Sequence, residues 1–231
     1  MKKQTGFFRS KAFIWVLILS ITLIWGYAWV MMKASLNFMG PYTYSSFRFA
    51  TGTLTMLIIL FLFKIGLPEK KYWIHLFVNG LLQTAAVFLL VMFAMKFVEA
   101  GKSSVLLYSM PIWSSLLAVK FLGEKLNVQK ITGLILGLIG LIFIIGWDIF
   151  NVSDSKIIIG ELLIISAAIC WAISNVYYRL HLKDLSQIQV STFQMLFGTL
   201  VIFVVTLFME WGEPVILNVE SIYYILLVYH Y

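Results

Sequence analysis

The chain has 231 residues, of which 61% are hydrophobic and only 12% charged; its mean hydropathy is +0.96 and its formal net charge +7. A soluble domain carries about 25% charged residues, so this chain cannot cover a surface of its own against water, and lipid must be its outer solvent. The positive charge does not mark a nucleic-acid binder: the basic residues sit in short gaps between apolar runs, where membrane topology places them, and no aromatic-basic stripe accompanies them.

A spanning helix needs about 20 residues to cross about 30 Å of hydrocarbon, and the charges punctuate the sequence at that interval. Lys2, Lys3, Arg9 and Lys11 precede an uncharged run from Ala12 to Met32, the first predicted span. That run is too long for a signal peptide, and no small-x-small cleavage site follows it. The second span is expected from about Tyr44 to Phe63, with Arg48 as its only charge, and the third from Tyr72 to Met95. The fourth is expected from about Lys102 to Leu122, the fifth from Val128 to Trp147, the sixth from about Ile157 to Tyr178 and the seventh from about Ile188 to Met209. An eighth begins near Ser221 and holds eleven residues to Tyr231. No alternating strand pattern occurs, which argues against a β-barrel. The expected fold class is all-α, a polytopic transmembrane helical bundle.

Lysine and arginine set the expected orientation. One side collects Lys2, Lys3, Arg9, Lys11, Lys64, Lys70, Lys71, Lys120, Lys125, Lys130, Arg179 and Lys183; the other collects Lys33, Lys96, Lys102 and Lys156. The N-terminus is therefore expected in the cytoplasm and the protein in the inner (cytoplasmic) membrane.

Sliding the chain by 146 residues brings Trp25 onto Trp171, Lys33 onto Arg179 and Phe47 onto Phe193. In the same register Gly52-Thr53-Leu54 falls on Gly198-Thr199-Leu200, Ser20 on Ser166 and Ser45 on Ser191. Five spans separate the copies, and five is odd, so the second copy enters the membrane from the opposite side. The expectation is an inverted 5+5 repeat with about seven to eight spans present: a first unit over 1–147 and a second over 157–231. A unit starting near Ile157 should run about 146 residues, whereas 75 lie between Ile157 and Tyr231. The second unit thus reads as two spans plus a partial third, and the chain as a fragment or an early-stopped reading frame.

Polar side chains inside hydrocarbon are costly and tend to face a cavity or a partner helix. In span three His75, Asn79 and Gln83 recur every fourth residue, on one helical face; Gln83 reads equally as cavity lining and as interhelical glue, and His75 as interfacial. Span one offers Trp25 and Trp29, and span six Trp171 and Asn175 at the matching positions, although Trp29 also suits an interfacial belt. Span four carries Tyr108, Pro111, Trp113 and Ser115; Pro111 near mid-span takes away the helical partner of the Leu107 carbonyl, either for a cavity or for packing. In span five, Gly133 and Gly137 make a G-x-x-x-G face for close helix approach, with Gly140 beyond. Arg48 is placed about one turn inside its span, either snorkelling to the interface or binding an anionic substrate group. Glu161, about one turn into span six, suits a helix N-terminus better than proton coupling.

Other chemistries find little support. Cys170 is the only cysteine, so no disulfide within the chain is expected, and no metal-ligand spacing occurs; no cofactor is expected. Gly101-Lys102-Ser103 lacks the upstream glycine of a phosphate loop, and Asn151-Val152-Ser153 is a glycosylation sequon relevant only in a secretory host. There is no H-E-x-x-H, no G-x-S-x-G and no pair of carboxylates deep in a span, so an enzyme is not expected.

The stretch Phe93-Ala94-Met95-Lys96-Phe97-Val98-Glu99-Ala100-Gly101 leads to Ser109-Met110-Pro111-Ile112, then to Gly123-Glu124-Lys125-Leu126, Gln129, Gly133 and Gly140. With Phe47-Arg48-Phe49 and Trp171-Ala172, it resembles the EamA-type repeat of the drug/metabolite transporter superfamily. The resemblance covers the first repeat from about Phe13 to Trp147 and up to three spans of the second. It implies a ten-span inner-membrane protein with both termini cytoplasmic that moves small polar metabolites through a central cavity. The second proline and second G-E pair of the family pattern are absent from this sequence. The expected function is a secondary carrier or exporter of small polar metabolites, such as amino acids or drugs, working by alternating access. The alternative is a non-transporting truncated membrane protein or half of a split carrier. Trp25, Gln83, Tyr108, Trp171 and Asn175 are the expected substrate-binding residues, with Pro111, Gly123, Glu124, Gly133 and Gly137 as structural motif. The expected partners are a small-molecule substrate and the lipid bilayer, not nucleic acid; a homodimer stays open.

Overall fold

The computed structural model describes residues 11–151 and 154–227. Lys2, Lys3, Arg9, Val152 and Ser153 of the sequon and the residues after Leu227 lie outside the described residues. Eight helical elements follow in chain order: α1 (Lys11–Ser35), α2 (Pro41–Leu62), α3 (Lys70–Ala94), α4 (Ala100–Leu122), α5 (Val128–Asn151), α6 (Ser155–His181), α7 (Gln187–Met209) and α8 (Val219–Leu227). The first seven are long and apolar enough to cross a membrane. The protein is a multi-pass helical bundle, with no strand among the described residues.

The 146-residue offset recurs in the helix boundaries. α1 ends at Ser35 and α6 at His181; α2 starts at Pro41 and α7 at Gln187; the main α-helix of α3 starts at Trp73 and α8 at Val219. The links from α1 to α2 and from α6 to α7 are therefore equally long.

Helix ends follow local chemistry. Pro41 opens α2, where its missing N–H is no loss. Asp154 caps α6 by accepting from the Lys156 amide, so capping there does not fall to Glu161. Ser186 and Gln189 form a reciprocal capping box on α7. Gly123 ends α4 in the left-handed region at φ 67°, which a side chain would strain. α4 breaks at Tyr108–Ser109, just before Pro111, into segments 100–107 and 110–122. α3 carries a wider π-type turn over Leu81–Ala86, a local underwinding often found beside functional sites.

Lipid removes the hydrophobic drive between helices, so close approach and polar contacts decide the packing. α3 and α6 form the core. On α6 Gly160, Ile164, Ala167, Ala168 and Ala172 make a face of mostly small, fully buried residues against α3. α1 and α5 are peripheral, each only 6% buried over its apolar window. The tightest crossing is that of α3 on α7: a Cβ on Gly80 would run into the Gln194 backbone, and one on Gly198 into Thr84 and the Gly80 carbonyl. The G-x-x-x-G face of α5 is used in part. Gly137 lies against Ile112, whose Cδ1 an added Cβ would meet at 2.8 Å, while a Cβ added to Gly133 would meet no described neighbouring helix within 4 Å.

α2 and α7 run antiparallel and are held by polar groups along their length. Glu210, just past α7, accepts from the Tyr42 and Thr43 amides (3.1 and 2.7 Å) and from the Thr43 hydroxyl (2.7 Å). Ser46 meets Thr206 at 2.8 Å, and Thr53 meets Thr199 at 2.9 Å. Gly40 leaves room for the Glu210 carboxylate; a Cβ there would overlap it.

Overpacking the α3–α7 crossing should be costly. Gly198→Val is expected to lower stability by about 1–3 kcal/mol, read as denaturant unfolding in detergent. Gly26→Val, at a position with nothing described within 4 Å, should not.

Candidate functional site

A cavity of about 220 Å³ lies within the membrane-spanning part of the bundle, bounded by α1, α2, α3, α4 and α6. Trp25, Trp29 and Met32 come from α1, Arg48 from α2, Phe88 from α3, Tyr108 from α4 and Trp171 from α6. The break in α4 falls at the wall, since Leu107 and Tyr108 both line it. Trp25 and Trp171, the tryptophans related by the 146-residue offset, both border the same space. A larger cavity, about 480 Å³, lies among the links at the membrane face away from the N-terminus, around Lys33, Lys96 and Glu213. It is built from loop and helix-end residues and has the character of a vestibule, so the cavity within the spanning part is the better candidate for recognition.

Of the five expected substrate-binding residues, three line this cavity: Trp25, Tyr108 and Trp171. Gln83 and Asn175 do not. Gln83 accepts from the Ser174 hydroxyl (2.8 Å), and Ser174 also points at the Asn79 side-chain oxygen (2.9 Å). Asn79, fully buried, donates to Gln194 on α7. This network ties α3, α6 and α7 together in the layer next to the cavity, between it and the N-terminal face. Asn175 donates to the Met110 sulfur at 3.2 Å, bracing α6 on α4.

Two residues sit differently from their sequence reading. Trp29 is 8% exposed rather than part of an interfacial belt, and its Nε1 donates to the Tyr108 hydroxyl at 3.4 Å. The helix that carries Arg48 begins at Pro41, so Arg48 lies about two turns deep, roughly 10 Å along α2. Its Nε and Nη1 are buried and have no hydrogen-bond partner among the described residues. The guanidinium instead stands 4.9 Å from the Phe88 ring centroid and 5.6 Å from that of Phe49. That is cavity lining, not snorkelling.

Four other basic side chains in or beside the bundle have oxygen partners. Glu161, fully buried on α6, forms an ion pair with Lys102 on α4. Lys33 donates to the Met95 and Val98 carbonyls (2.6 and 3.0 Å), closing the end of α3. Its offset mate Arg179 donates to Glu124 at 2.6 Å, and Lys130 reaches the same carboxylate at 3.4 Å. Gly123 and Glu124 thus stop α4 and fasten the turn to α6 and α5. Toward the N-terminal face, His75 Nδ1 meets the Tyr177 hydroxyl at 2.7 Å, and the His75 and His181 rings stack at 4.5 Å. No cluster suited to a metal ion occurs among the described residues.

Comparison with known proteins gives one consistent answer. The model of the EamA-like transporter family matches twice, over residues 12–146 and 158–229. The uncharacterized transporter YoaV of Bacillus subtilis is 34% identical over 194 residues, 84% of this chain and 66% of its own. A second Bacillus subtilis protein, the uncharacterized transporter YvbV, is 27% identical over 71% of this chain and 53% of its own length. An Escherichia coli protein named "Probable amino-acid metabolite efflux pump" is 25% identical over 71% of this chain and 52% of its own. The chain therefore spans about half to two thirds of the length of these relatives. A chain in a solved crystal structure shares the fold, with a TM-score of 0.61 at 18% identity, over 89% of this chain and 73% of that one.

The Glu124 link carries a pH signature. The Arg179 hydrogen bond and charge, then Lys130, hold the Glu124 carboxyl below its ordinary value of 4.5. A lowered folded-state value stabilises above the unfolded value and is lost as pH falls through the folded one. Glu124→Gln should therefore melt below the parent protein at pH 6–7, and the difference should shrink as pH drops below about 4. A difference that is flat across that range would contradict the link.

Proposed function

We propose that this chain, which belongs to the EamA-like transporter family, is a membrane carrier for small organic metabolites, not an enzyme, and that the cavity at Trp25, Arg48, Tyr108 and Trp171 is its substrate site. The observation that carries the reading is the placement of Trp25 and Trp171, 146 residues apart, around one space between the helices. Two copies of a helical unit, inserted in opposite senses, offer alternating access when they rock about a site near the midplane. The antiparallel α2–α7 contact suits that motion. Thr53 meets its own offset mate Thr199, as residues on a twofold axis do, and the Ser46–Thr206 pair keeps the same register.

The substrate contacts fall to Trp25, Trp29, Tyr108 and Trp171, whose faces accept flat or apolar bodies. Gln83 and Asn175 serve as frame. Drug-sized ligands occupy pockets of about 300–1,000 Å³, so a cavity of about 220 Å³ favours metabolites of amino-acid size over multi-ring drugs. The stripe of His75, Asn79 and Gln83 on α3 with Tyr177 and Ser174 on α6 supplies a polar seam from the N-terminal face toward the cavity. The lysine and arginine distribution supports a cytoplasmic N-terminus and an inner-membrane location.

Reconstituted into liposomes, the chain is expected to move members of a labelled amino-acid and organic-acid panel saturably, above protein-free vesicles. Trp171→Ala should cut that flux by about tenfold or more, in line with loss of a buried aromatic contact, while the helical signal is retained. Flux no faster than in protein-free vesicles, or unaltered by Trp171→Ala, would contradict the proposal.

A further inference from the structure

Among the described residues that line the cavity one is charged, Arg48. Lys33, Lys102 and Arg179 each have an oxygen partner: two carbonyls, Glu161 and Glu124 respectively. Arg48 has no ion pair and no acceptor for its buried Nε and Nη1 among the described residues. A guanidinium cannot shed its proton to escape a low-dielectric site, so it stays charged there. The Phe49 and Phe88 faces offset only a fraction of the lost hydration. The position is thus incomplete without an anion.

We propose that the cavity takes a small organic monoanion, a carboxylate on an apolar or aromatic body, and that Arg48 is the residue that binds the carboxylate. The proposal deepens the carrier reading and rests on it for its role in transport. The two buried donors that lack acceptors, Nε and Nη1, lie on different edges of the guanidinium, and each offers an N–H that a carboxylate oxygen can accept. The remaining walls are aromatic and aliphatic: Trp25, Trp29, Met32, Phe88, Leu107 and Trp171. One cation among such walls is matched by one negative charge. A phosphate dianion would leave net charge in an apolar site, and an organic cation would be repelled by Arg48. Among the described residues no acidic side chain lines the cavity to hold an ammonium.

The test is binding rather than flux. Fluorine NMR on the detergent-solubilised full chain compares 4-fluorophenylacetate with its neutral amide, which has nearly the same shape. The acid is expected to bind at least about tenfold more tightly. Arg48→Gln should abolish the preference, and Arg48→Lys should retain part of it. Equal affinities for acid and amide in the parent protein, or a preference that survives Arg48→Gln, would overturn the proposal. The parent comparison decides the matter even where Arg48→Gln fails to fold. Intact acid preference without flux would sink the carrier reading alone; flux without acid preference would sink this one alone.

Discussion

In hydrocarbon, helices gain nothing by exchanging lipid for apolar protein, so they are held by close backbone approach and by polar groups that only each other can satisfy. The α2–α7 pair is held by such groups. Glu210 satisfies two of the orphan amides at the start of α2, and the hydroxyls of Ser46, Thr53, Thr199 and Thr206 meet across the interface. The α3–α7 crossing at Gly80 and Gly198 supplies the close approach. The Asn79–Ser174–Gln194 network then locks α6 into the same frame. With α2, α3, α6 and α7 fixed, the positions of Arg48, Phe88 and Trp171 around one space follow.

The cavity departs from this rule of satisfied polar groups. Elsewhere the bundle matches charge with oxygen: Lys102 with Glu161, Lys33 with helix-end carbonyls, Arg179 with Glu124. At Arg48 it offers two aromatic faces instead. Local inconsistency of this kind concentrates at functional sites. The break in α4 at Tyr108 falls at the same place, where backbone freed from its helix borders a cavity.

Much of the fold was legible because spans are written in charge spacing and hydropathy, which are local signals. The seven spans were placed to within a few residues, and the 146-residue offset was readable from Trp25, Lys33 and the Gly-Thr-Leu triplet. Trp25, Tyr108 and Trp171 were also legible as cavity residues, because their types are unusual at mid-span. Contacts between distant parts of the chain were harder. Glu210 carries no local mark of its bond to Thr43, 167 residues away, and Glu161 read as a cap because Lys102 lies in another helix. Gln83 belonged to two readings that sequence cannot separate, since cavity lining and interhelical glue demand the same side chain; its hydrogen bond with Ser174 joins α3 to α6. Arg48 looked shallower than it is because the polar first turn of α2, Pro41 to Tyr44, hides the true helix start.

The contact between Thr53 and Thr199 tests the twofold arrangement most directly. These offset mates lie 2.9 Å apart at their hydroxyls, so cysteines in their places are close enough to bridge. With Cys170→Ala removing the only native thiol, the Thr53→Cys, Thr199→Cys chain in membranes should form an intramolecular disulfide under mild oxidation, seen as a mobility shift reversed by reductant. A control pairing Thr53→Cys with Phe208→Cys, far along α7, should form none. No bridge at the 53–199 pair, or equal bridging in both, would contradict two units meeting on a shared axis beside the cavity.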